Sequence, residues 1–290
     1  MHTTLIAISS LLALAQASPV SGDNVKSSSL SRRDVIGNLG ESADPLEITV
    51  QPLLDFDSDG CYQTSAIDRN GKVNPGHGPT GTPQGDCRDK RQLDSSNTYS
   101  RKRCNNGYCA IMYEVSQLPP IAANYAQSSR TSLAESQIAY FRLYYFEKDQ
   151  SVGLSFTGGH RHDWENIVVF TKGQSVVRVA PSCHGKYDHA TNNFPLRDKH
   201  PLLVYHKDGG LTHCFRIANN DDIAHPENPT GNFFRAPLVG WNNWPSEDLK
   251  NKMLNNWKGG VGPKLDDEFE GSLRAAAGNG VPGFDPSRDS

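Results

Sequence analysis

Short apolar stretches alternate with Gly- and Pro-rich connections along most of the chain, a pattern typical of β-strands joined by turns. Runs rich in β-branched and aromatic residues predict strands at 47–54, 165–171, 175–180, 202–206 and 212–217, and a further strand that starts at Cys109. Two helices are predicted near the carboxyl end, one from Ser246 to about Trp257 and one over 265–277, ended by Gly278. Short strands at this spacing favour a mostly β fold, a single-domain antiparallel β-sandwich with a few peripheral helices.

The first residues have the character of a targeting segment rather than of a folded element. Two apolar stretches, 5–8 and 11–14, are together too short to span a bilayer, and residues 15–17 read A-x-A, a cleavage site. We therefore predict a signal peptide at 1–17 and a secreted, extracellular protein. Residues 18–33 are a Ser-rich linker or propeptide that ends in a dibasic pair, either a trimming site or merely an exposed pair. No later stretch is long enough for a transmembrane helix, so we expect a soluble mature chain.

The net charge of the mature chain argues against two classes of partner. The full sequence holds 29 basic and 32 acidic residues. Residues 1–33 carry three basic residues and one acidic residue, so the remainder has 26 basic and 31 acidic residues. A net negative chain argues against nucleic acid as a partner and against simple adhesion to anionic lipid. The remaining length, 34–290, suits one all-β domain, which we expect to be a monomer.

Candidate chemistry concentrates in residues 158–165, which read GGHRHDWE. Side chains alternate in a strand and recur every three or four residues in a helix, so neither form brings His160, Asp163 and Glu165 to one face. Their convergence requires a turn near His162, followed by a strand. Three convergent side chains, two of them carboxylates, suit a hard cation such as Ca²⁺, Mg²⁺ or Mn²⁺. The alternative is a solvated salt-bridge cluster in which the neighbouring arginine neutralises the acids.

The heptapeptide at 159–165, GHRHDWE, resembles the signature of the necrosis- and ethylene-inducing peptide 1-like proteins, the NLP cytolysins. Further stretches are similar to fungal members of that family: QPLLDFDSDGCY at 51–62, residues 177–181 with 184–185, and YHKDGGLTH at 205–213. The resemblance runs from about residue 45 to near the carboxyl end. It implies a secreted toxin with a β-sandwich like that of actinoporins and fungal fruit-body lectins.

The same resemblance implies a cation site in a surface cavity. Four residues match the family's ligands for Ca²⁺ or Mg²⁺: Asp149, His160, Asp163 and Glu165. The other residues of the motif are expected to support these ligands: Gly159, Arg161, His162 and Trp164. Arg161 is expected to orient the carboxylates. His213 corresponds to a family histidine near the sugar-binding edge of the cavity, and a satisfied core histidine is the alternative.

The resemblance also implies a partner and an outcome. The implied partners are glycosylated inositol sphingolipids of plant plasma membranes, and the outcome is damage to eudicot membranes without covalent chemistry or enzyme activity. One rival is a non-cytolytic member that acts as an immune elicitor, with a host pattern-recognition receptor as partner, or as a cation-dependent lectin. A secreted metallohydrolase with Glu165 as general base is the other rival, and it is disfavoured because the sequence has no H-E-x-x-H motif.

Six cysteines in a chain with a predicted signal peptide indicate disulfides: Cys61, Cys87, Cys104, Cys109, Cys183 and Cys214. Fifteen connectivities are formally open. The resemblance implies a bond between the first two, and the middle two bracket a turn short enough to bridge. The last two stand where family members often carry alanine, and two such substitutions that could face each other predict a third bond; two free buried thiols are the alternative.

The loop at 55–60 imitates the opening of an EF-hand calcium loop, D-x-D-x-D-G. Its twelfth position is Ala66 rather than glutamate, and no helices are predicted on either side. We interpret the loop as a turn whose aspartates bond to the local backbone.

Residues 115–143 interrupt a stretch that is otherwise similar to the family, because joining Glu114 to Tyr144 restores a family-like strand. The segment is either a true insertion with a helical stripe or an unspliced intron that has been translated. We favour the intron, since an excursion within one strand would have to return in register. A tryptic peptide from inside the segment would establish the insertion, whereas a peptide joining its two flanks would establish the intron.

Overall fold

Strands dominate the protein, whose computed structural model describes residues 35–113, 144–151, 158–210, 212–257, 262–264 and 268–290. The described elements are, in chain order, α1 (Pro45–Thr49), β1 (Leu53–Phe56), α2 (Lys90–Asp94), β2 (Thr98–Asn105), β3 (Tyr108–Tyr113), β4 (Phe146–Gln150), β5 (Gly159–Asp163), β6 (Ile167–Lys172), β7 (Ser175–Pro181), β8 (Leu196–Arg197), β9 (His200–Lys207), β10 (His213–Ile217), α3 (Asn220–Ala224), β11 (Leu238–Gly240), α4 (Glu247–Asn255) and α5 (Phe269–Ala277). The mostly β character with a few short helices is confirmed. The signal peptide, the 18–33 segment and the 115–143 segment lie outside the described residues.

The strands form two larger sheets and a hairpin. The five-stranded sheet has the order β11-β2-β3-β6-β7, and the four-stranded sheet has the order β1-β9-β10 with β8 also paired to β9. Strands β4 and β5 pair with each other. Most pairs are antiparallel, but β1 and β9 run parallel, as do β11 and β2. The sheets are therefore mixed rather than purely antiparallel, because long crossovers rather than hairpins join these strands.

One buried cluster joins the two larger sheets, as expected of a sandwich. Strand β3 shows how alternation builds it: Ile111 and Tyr113 enter this cluster, whereas Ala110 and Met112 face the second cluster, which contains residues of α5. From the four-stranded sheet, Tyr205 belongs to the same cluster as Ile111. Both faces of β3 are thus covered, so its sequence is apolar rather than alternating.

Four predicted strands are confirmed as β6, β7, β9 and β10, and Cys109 lies in β3. The strand predicted at 47–54 is wrong in its first part, because α1 forms there instead. The Asp44 side chain caps α1, the Glu47 side chain accepts a hydrogen bond from the Asp44 amide at 3.1 Å, and Pro45 occupies the first turn. This capping box overrides the apolar pattern, so β1 begins only after the helix.

The helices near the carboxyl end are confirmed in their described parts. Ser246 caps α4, its Oγ accepting from the Leu249 amide at 3.2 Å, and α5 ends immediately before Gly278. These two helices have 9 residues each. No helix in the described part of the chain is long and apolar enough to cross a bilayer.

The two flanks of the 115–143 segment belong to different sheets. Strand β3 pairs with β2 and β6, whereas β4 pairs with β5. The argument for an intron assumed that both flanks belong to one strand, and the structure contradicts this assumption. A connection between the two sheets is needed in either case, so the choice between insertion and intron stays a prediction.

Three disulfides are present, with the pairing that the sequence led us to expect: Cys61–Cys87, Cys104–Cys109 and Cys183–Cys214. The first lies in the core, the second closes the β2–β3 hairpin, and the third joins the chain after β7 to β10. All six cysteines are therefore paired, and none is a free thiol.

Candidate cation-binding site

The β4–β5 hairpin carries the predicted ligands. Its register places Asp149 opposite His160, so the two side chains share a face of the hairpin. Gly159 permits the close approach of the two strands: its φ is 143°, and a Cβ there would lie 2.4 Å from the Asp149 carbonyl oxygen. The backbone, rather than ligand chemistry, therefore requires glycine at this position of the motif.

A local change of backbone conformation places Asp163 on the same face of the hairpin as Asp149 and His160. His162 has a φ of 65°, in the left-handed region that few residues other than glycine adopt. This conformation breaks the alternation of the strand, so that Asp163 lies on the same side as His160. The chain then enters β6 at Ile167. The strand predicted after His162 is confirmed as β6, but the predicted turn is instead a left-handed residue inside β5.

Asp149, His160 and Asp163 form a set that we call the carboxylate set. Each offers one donor atom, and these atoms lie within 4.8 Å of one another. Asp149 and Asp163 are buried, with exposed fractions of 1% and 0%, whereas His160 is half-buried. Burial and the nearby charge of Asp149 raise the pKa of Asp163 well above its usual value. A positive charge near Asp163 would favour its ionised form.

Two atoms of this set are suited to such a cation. The Tyr205 hydroxyl donates to Asp163 Oδ2 at 2.6 Å, but Asp163 Oδ1 is buried without a hydrogen-bond partner among the described residues. His160 Nδ1 lies 2.7 Å from the His162 carbonyl oxygen. A carbonyl only accepts, so Nδ1 carries the proton and Nε2 has the lone pair. Histidines that bind metals are commonly held in this way. The donors present therefore fit a divalent cation.

The fourth predicted ligand, Glu165, lies beside the carboxylate set and is not a member of it. Its Oε2 accepts a hydrogen bond from Ser182 Oγ, and its Oε1 is buried without a partner among the described residues. Burial, followed by the charge of Asp163, raises the pKa of Glu165 well above its usual value. The structure thus brings three of the four predicted ligands together and leaves the fourth within electrostatic reach.

His213 holds Asp149 in place. Its backbone amide donates to Asp149 Oδ2 at 3.0 Å, and its Nδ1 lies 2.8 Å from Asp149 Oδ1. Its Nε2 is 3.4 Å from Asp59 Oδ1, in the loop that resembles an EF-hand opening. Burial opposes the charged form, but the contacts with both aspartates outweigh it and raise the pKa of His213 to about 9. Only 2% of His213 is exposed, which favours the alternative of a core histidine, and its contact with a sugar stays a prediction.

Arg161 does not orient the carboxylates as predicted. Its Nη1 donates to the carbonyl oxygens of Pro75 and Gly76, at 3.0 and 2.8 Å. On the neighbouring strand, the buried Lys148 donates to the carbonyl oxygens of Thr80 and Thr82, at 3.1 and 2.8 Å. The loop that contains residues 75–82 is therefore attached to the hairpin through the side chains of Lys148 and Arg161. Arg161 binds backbone carbonyl oxygens rather than the carboxylates.

Two motif residues, His162 and Trp164, pack against other aromatic side chains in a cluster that we call the aromatic floor. Its other members are Tyr145 and Trp257. Trp164 is fully buried, with its ring centroid 5.0 Å from that of Tyr145 and 4.7 Å from that of Trp257. His162 Nδ1 lies 2.7 Å from the Tyr145 hydroxyl. Burial, followed by the charge of Arg161, lowers the pKa of His162 to about 4. A neutral imidazole and an indole thus support the site by packing.

Sequence reasoning missed Tyr205 and Ser182, which hold the two carboxylates of the motif. Both residues lie outside the motif in sequence and come to the site only through the folding of the chain. No local spacing therefore identifies them. Tyr205 does lie in the family-like stretch at 205–213, which is the one signal that could have found it.

Comparison with known proteins shows the family of the chain. The family model described as necrosis inducing protein (NPP1) matches residues 44–116 and 124–276. The chain belongs to this family. Necrosis-inducing protein NPP1 of Phytophthora nicotianae is 32% identical over 137 residues, covering 45% of this chain and 43% of that protein. NLP effector protein 10 of Phytophthora capsici is 28% identical over 180 residues, covering 60% of this chain and 62% of that protein. The matches thus span less than two thirds of these relatives.

Solved structures in the family share the fold. One is titled NLPPya in complex with mannosamine, with a TM-score of 0.60 and 22% identity over 83% of this chain and 95% of that chain. Another is necrosis and ethylene inducing protein 2 from the causal agent of cocoa's witches' broom disease, with a TM-score of 0.59 and 25% identity, covering 86% of this chain and 96% of that chain. A third, HaNLP3, is described as non-toxic and has a TM-score of 0.60 at 22% identity over 84% of this chain and 97% of that chain. The β-sandwich fold is therefore shared with a protein that is described as non-toxic.

Proposed function

We propose that the chain is a secreted necrosis-inducing cytolysin that holds Ca²⁺ or Mg²⁺ and damages eudicot plasma membranes through glycosylated inositol sphingolipids. Family membership supports the necrosis-inducing role, and the relatives from Phytophthora capsici are named effectors. One protein of the same fold has been solved in complex with mannosamine and with glucosamine, which supports a sugar head group as the ligand.

The observation that carries the proposal is the carboxylate set in the core. Asp149 and Asp163 are buried within donor distance of each other and of an imidazole whose Nδ1 is held by a carbonyl. Leaving a buried carboxylate oxygen unpaired is costly, and a divalent cation would remove that cost at Asp163 Oδ1. Two oxygen donors and a single imidazole favour Ca²⁺ or Mg²⁺ over Zn²⁺.

Each residue near the set has a defined task in this proposal. Asp149, His160 and Asp163 hold the cation, His213 and Tyr205 keep the two aspartates oriented, and the nearby carboxylate of Glu165 adds negative charge. A hard cation bound by few protein atoms supplies positions for further oxygen ligands, and the hydroxyls of a terminal hexose are ligands of that kind. This would let a negatively charged protein recognise a membrane glycolipid. No catalytic residue is assigned.

A second candidate function is supported by one comparison. HaNLP3 is described as non-toxic although it has the same fold. A chain with this site could therefore act as an immune elicitor, recognised by a host pattern-recognition receptor, or as a cation-dependent lectin. Cation and sugar binding are common to both candidates, so only the membrane outcome separates them.

The binding test compares two buried aspartates. Asp163→Asn keeps the size of the side chain and an acceptor for Tyr205, but removes one charge from the carboxylate set. We expect calorimetric titration to show Ca²⁺ and Mg²⁺ binding weakened by about 100-fold or more. Asp55→Asn is the matched control, because Asp55 is 1% exposed and also has a buried oxygen without a partner among the described residues. Unchanged affinity in Asp163→Asn, or equal losses in both variants, would overturn the site.

The functional test is infiltration of eudicot and monocot leaves with and without a chelator. Necrosis confined to eudicot leaves, abolished by the chelator and by Asp163→Asn but not by Asp55→Asn, is the expected result. Cation-dependent binding to vesicles that contain glycosylated inositol sphingolipid, without leakage or necrosis, would instead establish the elicitor or lectin. Vesicle binding that ignores the chelator would contradict the proposed route to the membrane.

A further inference from the structure

A second group of metal-ligating side chains lies outside the carboxylate set. Cys183, His184, Asp208 and Cys214 each offer one donor atom, and these atoms lie within 4.8 Å of one another. We call them the thiol set. Among the described residues only this group and the carboxylate set meet that criterion. Its chemistry differs, because it combines two sulfurs and an imidazole with a single carboxylate.

Two local structures hold the thiol set. After β7 the chain makes a tight turn in which Cys183 and Lys186 exchange backbone hydrogen bonds of 2.9 and 3.0 Å. His184, in this turn, has a φ of 51°. The other two residues come from the β9–β10 hairpin: Asp208 directly follows β9, and Cys214 lies in β10. Backbone geometry thus positions all four residues independently of the bond between the sulfurs.

The four donor atoms lie close together, and the bond between the two sulfurs must break before an ion can lie among them. His184 Nε2 lies 2.9 Å from Asp208 Oδ2, and Cys183 Sγ lies 3.9 Å from the same oxygen. In a tetrahedral zinc site, with Zn–S near 2.3 Å and Zn–N near 2.0 Å, ligand atoms are roughly 3.3 to 3.8 Å apart. Small side-chain movements would bring the four donors to these separations. Two thiolates with an imidazole are a donor set that selects zinc over calcium or magnesium.

The site can also be reached from solvent. The side chains of His184 and Asp208 are 30% and 46% exposed, and Cys183 is half-buried. The disulfide Cys61–Cys87 offers a contrast, because both of its cysteines are at most 3% exposed and their sulfurs contact the Pro83 carbonyl oxygen rather than an imidazole. Cys214 itself is fully buried. A reductant therefore reaches this bond at the Cys183 sulfur, and an ion reaches the set past His184 and Asp208, an access that the first bond lacks.

We propose that reduction of the Cys183–Cys214 disulfide converts the thiol set into a zinc site of two thiolates, His184 and Asp208. In the reduction, two molecules of a small thiol give up two electrons and two protons: the S–S bond breaks, two thiols form on the protein, and the small thiols join in their own disulfide. Zinc binding then releases the two protons from the protein thiols. This site goes beyond the cation site of the proposed function and does not depend on it.

The test uses Co²⁺ as a spectroscopic stand-in for zinc on the full folded chain. After mild reduction and removal of the reductant, Co²⁺ should show thiolate-to-metal charge-transfer absorption and tetrahedral d–d bands, and one equivalent of Zn²⁺ should abolish both. The oxidised chain should show neither signal. The carboxylate set cannot mimic this result, because it contains no sulfur. Absence of the charge-transfer band after verified reduction of Cys183 and Cys214 would overturn the proposal.

Variants decide which residues bind. His184→Ala should weaken Co²⁺ binding by roughly tenfold or more, and a double change of Cys183 and Cys214 to serine should remove the charge-transfer band. A double change of Cys104 and Cys109 to serine is the matched control, and it should leave the signal intact. Circular dichroism of each reduced variant separates loss of binding from loss of fold. Equal Co²⁺ affinity in folded His184→Ala and in the unmodified chain would sink the assignment.

Discussion

The carboxylate set and the thiol set lie in the same domain but are built in opposite ways. The first is buried on a two-stranded hairpin and is held by side chains from other parts of the chain, among them Tyr205 and His213. The second lies near the surface, where a tight turn and a neighbouring hairpin supply it through backbone geometry. In this protein the oxygen donors are buried and oriented by partner side chains, whereas the two sulfurs are joined by a covalent bond.

The comparison shows how burial affects the charge and the binding partners of each set of donor atoms. In the carboxylate set, burial and the charge of Asp149 raise the pKa of Asp163, so a bound cation would restore its charge. In the thiol set the two sulfurs already satisfy each other in a disulfide. Substitutions near the first set should therefore change both stability and cation affinity, while those near the second should change mainly stability or metal binding after reduction.

The largest expected difference concerns the aromatic floor. Trp164→Ala removes a fully buried indole that packs on Tyr145 and Trp257, and it should lower the free energy of unfolding by about 3–5 kcal/mol. His184→Ala, in the thiol set, should cost less than about 1 kcal/mol because the side chain is partly exposed. Urea unfolding followed by circular dichroism measures both. Similar losses in the two variants would contradict the contrast between a buried and a surface site.

Removing the disulfide of the thiol set should cost almost as much. In the chain-entropy model, replacing Cys183 and Cys214 by alanine lowers the free energy of unfolding by about 3.7 kcal/mol for a separation of 31 residues. The matched pair, Cys104 and Cys109, with a separation of 5, should cost about 2 kcal/mol. Calorimetric Ca²⁺ affinity should stay within about twofold in both variants, since the carboxylate set keeps its donors. Loss of Ca²⁺ binding without the Cys183–Cys214 bond would show that the two sets are coupled.

Two glycines with positive φ test the backbone under each set. Gly159→Ala places a Cβ 2.4 Å from a carbonyl oxygen of β4, so we expect a loss of about 3 kcal/mol together with weaker cation binding. Gly209→Ala, beside the thiol set, has a φ of 59° but nothing within 4 Å of the added Cβ, so it should cost about 1 kcal/mol. Thermal unfolding and calorimetry give both quantities. Equal costs would mean that strain in φ, rather than the close approach, determines the effect at Gly159.

The smallest expected effect separates the orientation of the Asp163 carboxylate from the stability of the fold. Tyr205→Phe removes the hydroxyl that donates to Asp163, and Tyr113→Phe removes an equally buried hydroxyl that donates to the Glu47 carbonyl oxygen at 2.7 Å. Each should cost about 1 kcal/mol of stability. Only Tyr205→Phe should weaken Ca²⁺ binding, by roughly tenfold. If both tyrosines affect the affinity equally, the hydroxyl of Tyr205 has no specific role at the carboxylate set.

Much of the candidate site could be predicted because its determinants are local. The need for a break in the geometry near His162 followed from the different periods of strands and helices, and the structure places a left-handed residue there, within β5. The short spacing between Cys104 and Cys109 likewise indicated their bond. The strand predicted at 47–54 failed for an equally local reason, since the capping box around Asp44 outweighed the apolar pattern.

The sequence by itself thus determined the mostly β fold, the family and the residue types of the carboxylate set. Tertiary structure decided which carboxylates come together, because Asp149 and Asp163 meet through strand pairing while Glu165 turns to Ser182. It also decided that Arg161 binds loop carbonyls instead of acids, and that His213 is a buried partner of Asp149. These outcomes depend on which distant segments pack against the hairpin. Side-chain hydrogen bonds across long sequence separations follow packing, and no local pattern encodes their partners.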